Sequence, residues 1–289
     1  MCSVADQRRV GPIQTEIVAR NLDRRFLLRT EDAALAQQLG FLACDPDIVG
    51  RPPLDTVVTI DRRGDSIFVA EDGAEPKQLY CPTATLEFIH MQLFGHAIAE
   101  RPNATLIHAA CLRRDGRRFL LAGTKGAGKS TLTLQLIQAG FEIEGDEHVF
   151  IEDGRVVARP RACRVKEESL PYLPKIAAAI EASPCYRNYD GQRIFNVDPR
   201  RLGVDWRIQE GEVGHVFALH PNHGGYSSVR EMSPSMLVHF LMPETGWRTN
   251  ERGRSIAALA DLARRAKGFD LSLGDHATAI QCINAALET

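Results

Sequence analysis

One continuous stretch could do phosphate chemistry: Gly123-Thr124-Lys125-Gly126-Ala127-Gly128-Lys129-Ser130 fits every fixed position of G-x-x-x-x-G-K-[ST]. An apolar run (118–122) leads into it. A helical pattern follows from about Lys129 to Ala139, with Thr131 in its first turn and Leu132, Leu136 and Ile137 facing the core. Gly140 stands where a left-handed C-terminal cap belongs. Glycines let the backbone curl with its N–H groups aimed into one concavity, and the free amides of the helix start face the same anion. Lys129 is placed to bridge the β- and γ-phosphates of a nucleoside triphosphate, and the Ser130 hydroxyl to occupy a position on Mg²⁺. A glycine-rich turn that binds nothing would not need the lysine, the hydroxyl and the flanking elements together. The loop implies a triphosphate site and does not choose a reaction.

Asp146-Glu147 comes directly beyond the loop helix, after Gly140-Phe141-Glu142-Ile143-Glu144-Gly145, whose alternating residues read as a half-exposed strand. A motor ATPase ends a run of apolar residues in Asp-Glu well downstream, and here the downstream apolar strand, 215–219, has no acid at its end. The short spacing suits two carboxylates entering the phosphate cleft from a neighbouring strand, one to hold Mg²⁺ and one to accept the proton of an attacking hydroxyl. The competing reading is a surface acidic turn.

Other signals are weaker. His108 lies on an apolar strand, where a satisfied core histidine competes with a phosphate-contacting one. Arg159, Arg161, Arg164 and Lys166 are either a solvated face or a cationic wall beside the transferring phosphoryl group. His215, His220 and His223 lack an acidic or cysteine partner at ligand spacing, so a metal site is disfavoured. Asn250-Glu251-Arg252 is an acceptor contact or a helix cap.

These residues need elements to hold them. Strands at 16–20 and 25–29, a helix at 33–39 capped by Asp32, and a hairpin (55–60 and 66–70) around Arg62-Arg63-Gly64-Asp65 form a β-rich lobe over 1–80. Residues 81–289 form the P-loop domain. A helix over 83–99 shows Leu86, Ile89, Leu93, Phe94, Ala97 and Ile98 as its apolar stripe. Strands at 105–112 and 118–122 flank Arg114-Asp115-Gly116, and further strands lie at 155–159, 213–219 and 269–273. Helices follow near 233–241, 255–266 and 275–287. The mixture around one glycine loop implies a layered α/β core.

With 289 residues, one large domain or two modest ones fit the usual size of about 100–200 residues per domain. Thirty-five basic against 37 acidic residues argue against an extended nucleic-acid surface. No apolar run approaches the ~20 residues of a membrane span, and the first residues have no apolar segment after their charges. The 7 cysteines are scattered and odd in number, so the chain reads as cytoplasmic and reduced.

His108-Ala109-Ala110, the hairpin, the loop, Gly140-Phe141 and Gly145-Asp146-Glu147 follow the order seen in HPr kinase/phosphorylase catalytic domains. The chain resembles more closely the HPr-kinase-related proteins without the full HPr kinase architecture, among them the tailoring kinases of lasso-peptide gene clusters. Arg164-Val165-Lys166-Glu167-Glu168-Ser169 and the pattern from Asn250 to Leu287 are similar at a coarser level. The resemblance implies a phosphoenolpyruvate-carboxykinase-like P-loop fold with a mixed sheet and flanking helices, ATP and Mg²⁺ as cofactors, and phosphorylation of a serine-type hydroxyl on a peptide or protein. It makes Lys129 and Ser130 the phosphate and Mg²⁺ residues, Asp146 the general base, Glu147 a metal ligand, and His108 a neighbour of the transferred phosphate. Glu147 stands where the family has Asp, so the longer arm leaves these two roles open to exchange. The segment that supports HPr recognition and phosphorolysis, Glu-Val/Ile-Arg-Gly-x-Gly, is missing, which argues against HPr as acceptor. Family members assemble as oligomers, so the resemblance allows a homo-oligomer. The rival readings are a small-molecule hydroxyl kinase and a non-catalytic ATP sensor.

Overall fold

The computed structural model of the chain describes residues 14–50, 52–79, 82–188, 190–246 and 252–289. β1 (Thr15–Arg20) folds back on β2 (Arg24–Thr30), and α1 (Ala33–Leu39) starts where the Asp32 carboxylate accepts from the Leu35 amide at 2.9 Å. After β3 (Asp47–Ile48), β4 (Leu54–Arg63) lies parallel to β2. Its chain reverses at Gly64 (φ +63°) into β5 (Ser66–Glu71) and then β6 (Lys77–Leu79). The sheet order is β1-β2-β4-β5-β6. α2 (Pro82–Ala99) comes next. It divides its buried residues: Ile89 and Leu93 complete the core of this sheet with Phe26, Ile60 and Ile67, while Ala97 joins the larger core. The side chain of Leu86 lies outside the described residues.

The second part opens with the hairpin β7 (Thr105–Arg114) and β8 (Arg117–Ala122), then α3 (Lys129–Gln138), β9 (Glu142–Gly145), β10 (His148–Glu152), β11 (Arg155–Ala158) and β12 (Cys163–Lys166). It continues through α4 (Ala177–Glu181), β13 (Cys185–Arg187), β14 (Arg193–Val197), β15 (Arg207–Ile208), β16 (His215–Pro221) and β17 (Ser228–Met232). α5 (Pro234–Leu241), a tight turn at Met242–Glu244, α6 (Arg252–Arg265), β18 (Lys267–Leu273) and α7 (His276–Leu287) complete it. The main sheet runs β11-β10-β7-β8-β16-β18-β17, with β9 also paired to β7. β8, β16 and β18 are mutually parallel and the other pairings antiparallel, so the molecule is mixed α/β.

Alternation along β8 sends Phe119 and Leu121 to Leu132 and Leu136 of α3 and Ile283 of α7, and Leu120 and Ala122 to Leu237 of α5 and Leu259 of α6. The β8 end, where the loop begins, is therefore buried on both faces. β3 pairs with β15, tying the first lobe to the rest, and β12-β14-β13 form a small separate sheet.

The half-exposed strand expected before Asp146 is instead buried. Opposite β7, Cys111 pairs with Gly145 but Leu112 pairs with Ile143, so Glu144 is the extra residue of a bulge. The bulge breaks the alternation that the sequence pattern relied on. Glu144 is 1% exposed and takes two bonds from the Arg118 guanidinium at 2.8 and 2.9 Å, which makes the buried carboxylate tolerable. Asn250 and Glu251 lie outside the described residues, and Arg252 begins α6.

Candidate functional site

β8 delivers the chain into the glycine loop beside β16, where a Cβ on Gly123 would stand 3.0 Å from the Leu219 carbonyl oxygen. Gly128 takes φ +93°, a backbone conformation that favours glycine, and a Cβ there would also meet the end of the Leu273 side chain at 2.9 Å. α3 begins on Gly128 with no side-chain cap, so no side chain claims its first amides. Lys129 is buried, and its ammonium donates to the Gly123 carbonyl at 2.8 Å. Burial lowers its pKa, and the carboxylates of Asp146 and Glu244 oppose that shift.

Asp146 and Glu147 occupy the interruption between β9 and β10, held by the Ala109 amide donating to the Glu147 carbonyl at 3.1 Å. The two residues form a bend between the strands, and their carboxylates take different partners within the same cleft. Asp146, 5% exposed, faces the loop helix. Burial raises its pKa to about 6, against the pull of the Ser130 hydroxyl, then Lys129 and Arg161. Its Oδ1 is buried without a hydrogen-bond partner. Glu147 turns to the basic segment, where it pairs with Arg161 and, at 3.9 Å, with Arg164.

His108 sits directly across from His148 in the β7–β10 ladder, their rings 5.9 Å apart. Its Nδ1 is 3.4 Å from a Glu244 carboxylate oxygen. Burial, then the charge of Lys129, lowers the His108 pKa to about 4, and burial with Arg159 and Lys129 lowers that of His148 to about 3. Both rings are therefore neutral near pH 7.

A cleft of about 210 Å³ is lined by His108, Lys125, Ser130, Asp146, Glu147, Arg164 and Lys166, whereas Lys129, turned to the Gly123 carbonyl, is not among its lining residues. His108 and Glu147 also line a second cavity of about 640 Å³, whose wall is largely apolar: Phe94, Ile98, Leu106 and Phe150. The loop, the acidic pair, His108 and three of the basic residues thus meet, Arg161 through its pairing with Glu147. Arg159 does not join them: its guanidinium lies 4.4 Å over the Phe94 ring and lines neither cavity. Thr131 is half-buried on α3 and is not among the cleft-lining residues. His215 is buried against Phe269, whereas His220 is exposed beside Phe240 and Asp270. Among the described residues no cluster of His, Cys, Asp and Glu has the geometry of a metal site by itself.

Sequence reasoning missed Glu244, His148, Asn188 and Gln192. The last two line the cleft from the β13–β14 connection. His148 was findable as the neighbour of the acidic pair. Glu244 follows α5 in a turn with no motif, and only the fold brings it to His108.

No described helix is long and apolar enough to cross a membrane. No family model matches the sequence, and no curated protein matches it. Among solved structures 47 chains match. One is the HPr(Ser) kinase/phosphatase from Coxiella burnetii, at 14% identity, covering 63% of this chain and 91% of that one with a TM-score of 0.32. A likeness this distant leaves the function to the geometry of the site.

Proposed function

We propose that this chain is a phosphotransferase that moves the terminal phosphoryl group of ATP to a serine-type hydroxyl on a peptide or protein. The observation that carries the reading is the convergence of the glycine loop, through Lys125 and Ser130, on two carboxylates and a cationic wall within one cleft, with the buried Lys129 ammonium held beside it at the Gly123 carbonyl. The loop amides and the start of α3 hold the triphosphate, and Lys129 exchanges the Gly123 carbonyl for phosphate oxygens. Arg164 and Lys166 add positive charge along the transferring group.

The residues present fit a hard dication, because the partnerless Oδ1 of Asp146 stands with the Ser130 hydroxyl, and both are oxygen ligands. Asp146 and Ser130 would hold Mg²⁺, which when bound neutralises charge on phosphate oxygens. Glu147 then takes the acceptor's proton, since its carboxylate lines both the phosphate cleft and the larger cavity. This exchanges the two roles implied by the family pattern. Neutral His108, set against Glu244, presents a ring nitrogen at the same wall.

The test is transfer of label from γ-labelled ATP to candidate acceptors. Lys129→Ala should abolish it, and unchanged transfer by that variant would remove the loop from the mechanism.

The apolar cavity of about 640 Å³ favours a second reading, a small hydroxyl compound as acceptor. Label recovered in free metabolites, with no peptide labelled, would select it. Nucleotide binding without transfer to any acceptor would leave a sensor.

A further inference from the structure

Arg159 is 4% exposed, yet its Nε and Nη1 have no hydrogen-bond acceptor, and it makes no ion pair among the described residues. Its guanidinium lies 4.4 Å over the Phe94 ring. A guanidinium keeps its proton, and a buried charge without a counter-charge is costly by several kcal/mol. The group lines a cavity of about 30 Å³ between the first lobe and the connection from β11 to β12. Other lining residues are Arg20, Asn21, His90, Arg161 and Asn196, and no carboxylate is among them. His90 Nε2 and Asn196 Nδ2 also lack partners.

The neighbouring charges are already matched. Arg20 reaches Asp45 at 3.7 Å, and Arg161 pairs with Glu147. The Cys44 thiol in the same wall is pushed up to about 12 by burial and stays neutral. One positive charge is left over, in a space large enough for one or two water-sized particles at about 10–15 Å³ each and too small for a tetrahedral oxyanion.

We propose that this cavity binds a monovalent anion of halide size, chloride being the natural candidate, held by Arg159, His90 and Asn196. The ion neutralises Arg159 and joins the first lobe, through α2, to the segment that carries the basic residues of the cleft. Water alone would satisfy donors but would leave the charge uncompensated.

The deciding experiment is anomalous diffraction from crystals of the full chain in bromide. A bromide peak among Arg159, His90 and Asn196 is expected, and its absence overturns the proposal. In solution, replacing gluconate by chloride at constant ionic strength should raise the melting temperature by about 2–4 °C, the response of a chain this size to a ligand at a few times its Kd. The glycine loop is itself an anion site. The response must therefore survive in Lys129→Ala and disappear in Arg159→Met, and a response lost in Lys129→Ala instead places the ion at the loop and overturns the proposal. Should Arg159→Met fail to fold, the bromide map of the unaltered chain decides.

Discussion

At the residue scale the acidic pair concentrates the chemistry. Asp146 sits between burial, which disfavours its charge, and Ser130, Lys129 and Arg161, which favour it, and burial wins in the metal-free protein. A carboxyl whose folded pKa is about 6, above its unfolded value, contributes stability below the unfolded pKa that is lost as pH rises through 6. Asp146→Asn should therefore be more stable than the parent at pH 8 without Mg²⁺, by about 3 kcal/mol at most, with the gap closing below pH ~4. Melting curves at the two pH values check this, and a parent more stable at pH 8 would contradict it. Kinetics separate the roles. Glu147→Gln should lower transfer by ~10²-fold or more with nucleotide binding kept, whereas Asp146→Asn should weaken the Mg²⁺ dependence of nucleotide binding. The opposite pattern returns the base to Asp146.

At the scale of elements, the β9–β10 strand interrupted at Asp146-Glu147 is the positioning device. Its bulge at Glu144 is anchored by Arg118, which also donates to the Gln209 and Glu212 carbonyls, and by Trp206, whose ring N–H donates to the Glu144 carbonyl at 3.1 Å. Glu144→Ala leaves Arg118 buried and without its carboxylate, and should cost about 3–5 kcal/mol in chemical denaturation. A loss below 1 kcal/mol would mean that the carbonyls alone satisfy the guanidinium. Gly128→Ala should impair nucleotide binding more than folding, because the Cβ strikes Leu273 where the loop meets α3. Equal nucleotide affinity in that variant would show that the loop tolerates the change.

At the scale of the whole molecule, three histidines, His90, His108 and His148, lie between the lobes and the cleft with pKa values lowered chiefly by burial. Histidines held below their unfolded pKa of about 6.5 stabilise the fold above that pH, and the stability is lost as pH falls towards the folded values. Between pH 7 and pH 5 His148 alone should cost about 2 kcal/mol, while Asp146 opposes part of the loss. The metal-free chain should melt lower at pH 5 than at pH 7, and His148→Gln should flatten that slope. A parent with equal melting temperatures at both pH values would show that these rings are already solvated.

The glycine loop, Lys129, Ser130, the helix behind them and the hairpins were legible in the sequence because each is a local pattern, set by backbone conformation and a short apolar period. The proximity of Asp146-Glu147 to the loop could be inferred from spacing alone. Their separate partners could not, since Ser130 and Lys129 reach Asp146, and Arg161 and Arg164 reach Glu147, only through the fold. The tertiary structure alone decided that Glu144 is buried, that Arg161 pairs with Glu147 while Arg159 turns under Phe94, and that Glu244 reaches His108. Such contacts join residues far apart in the chain through sheet register, which no window of neighbouring residues encodes.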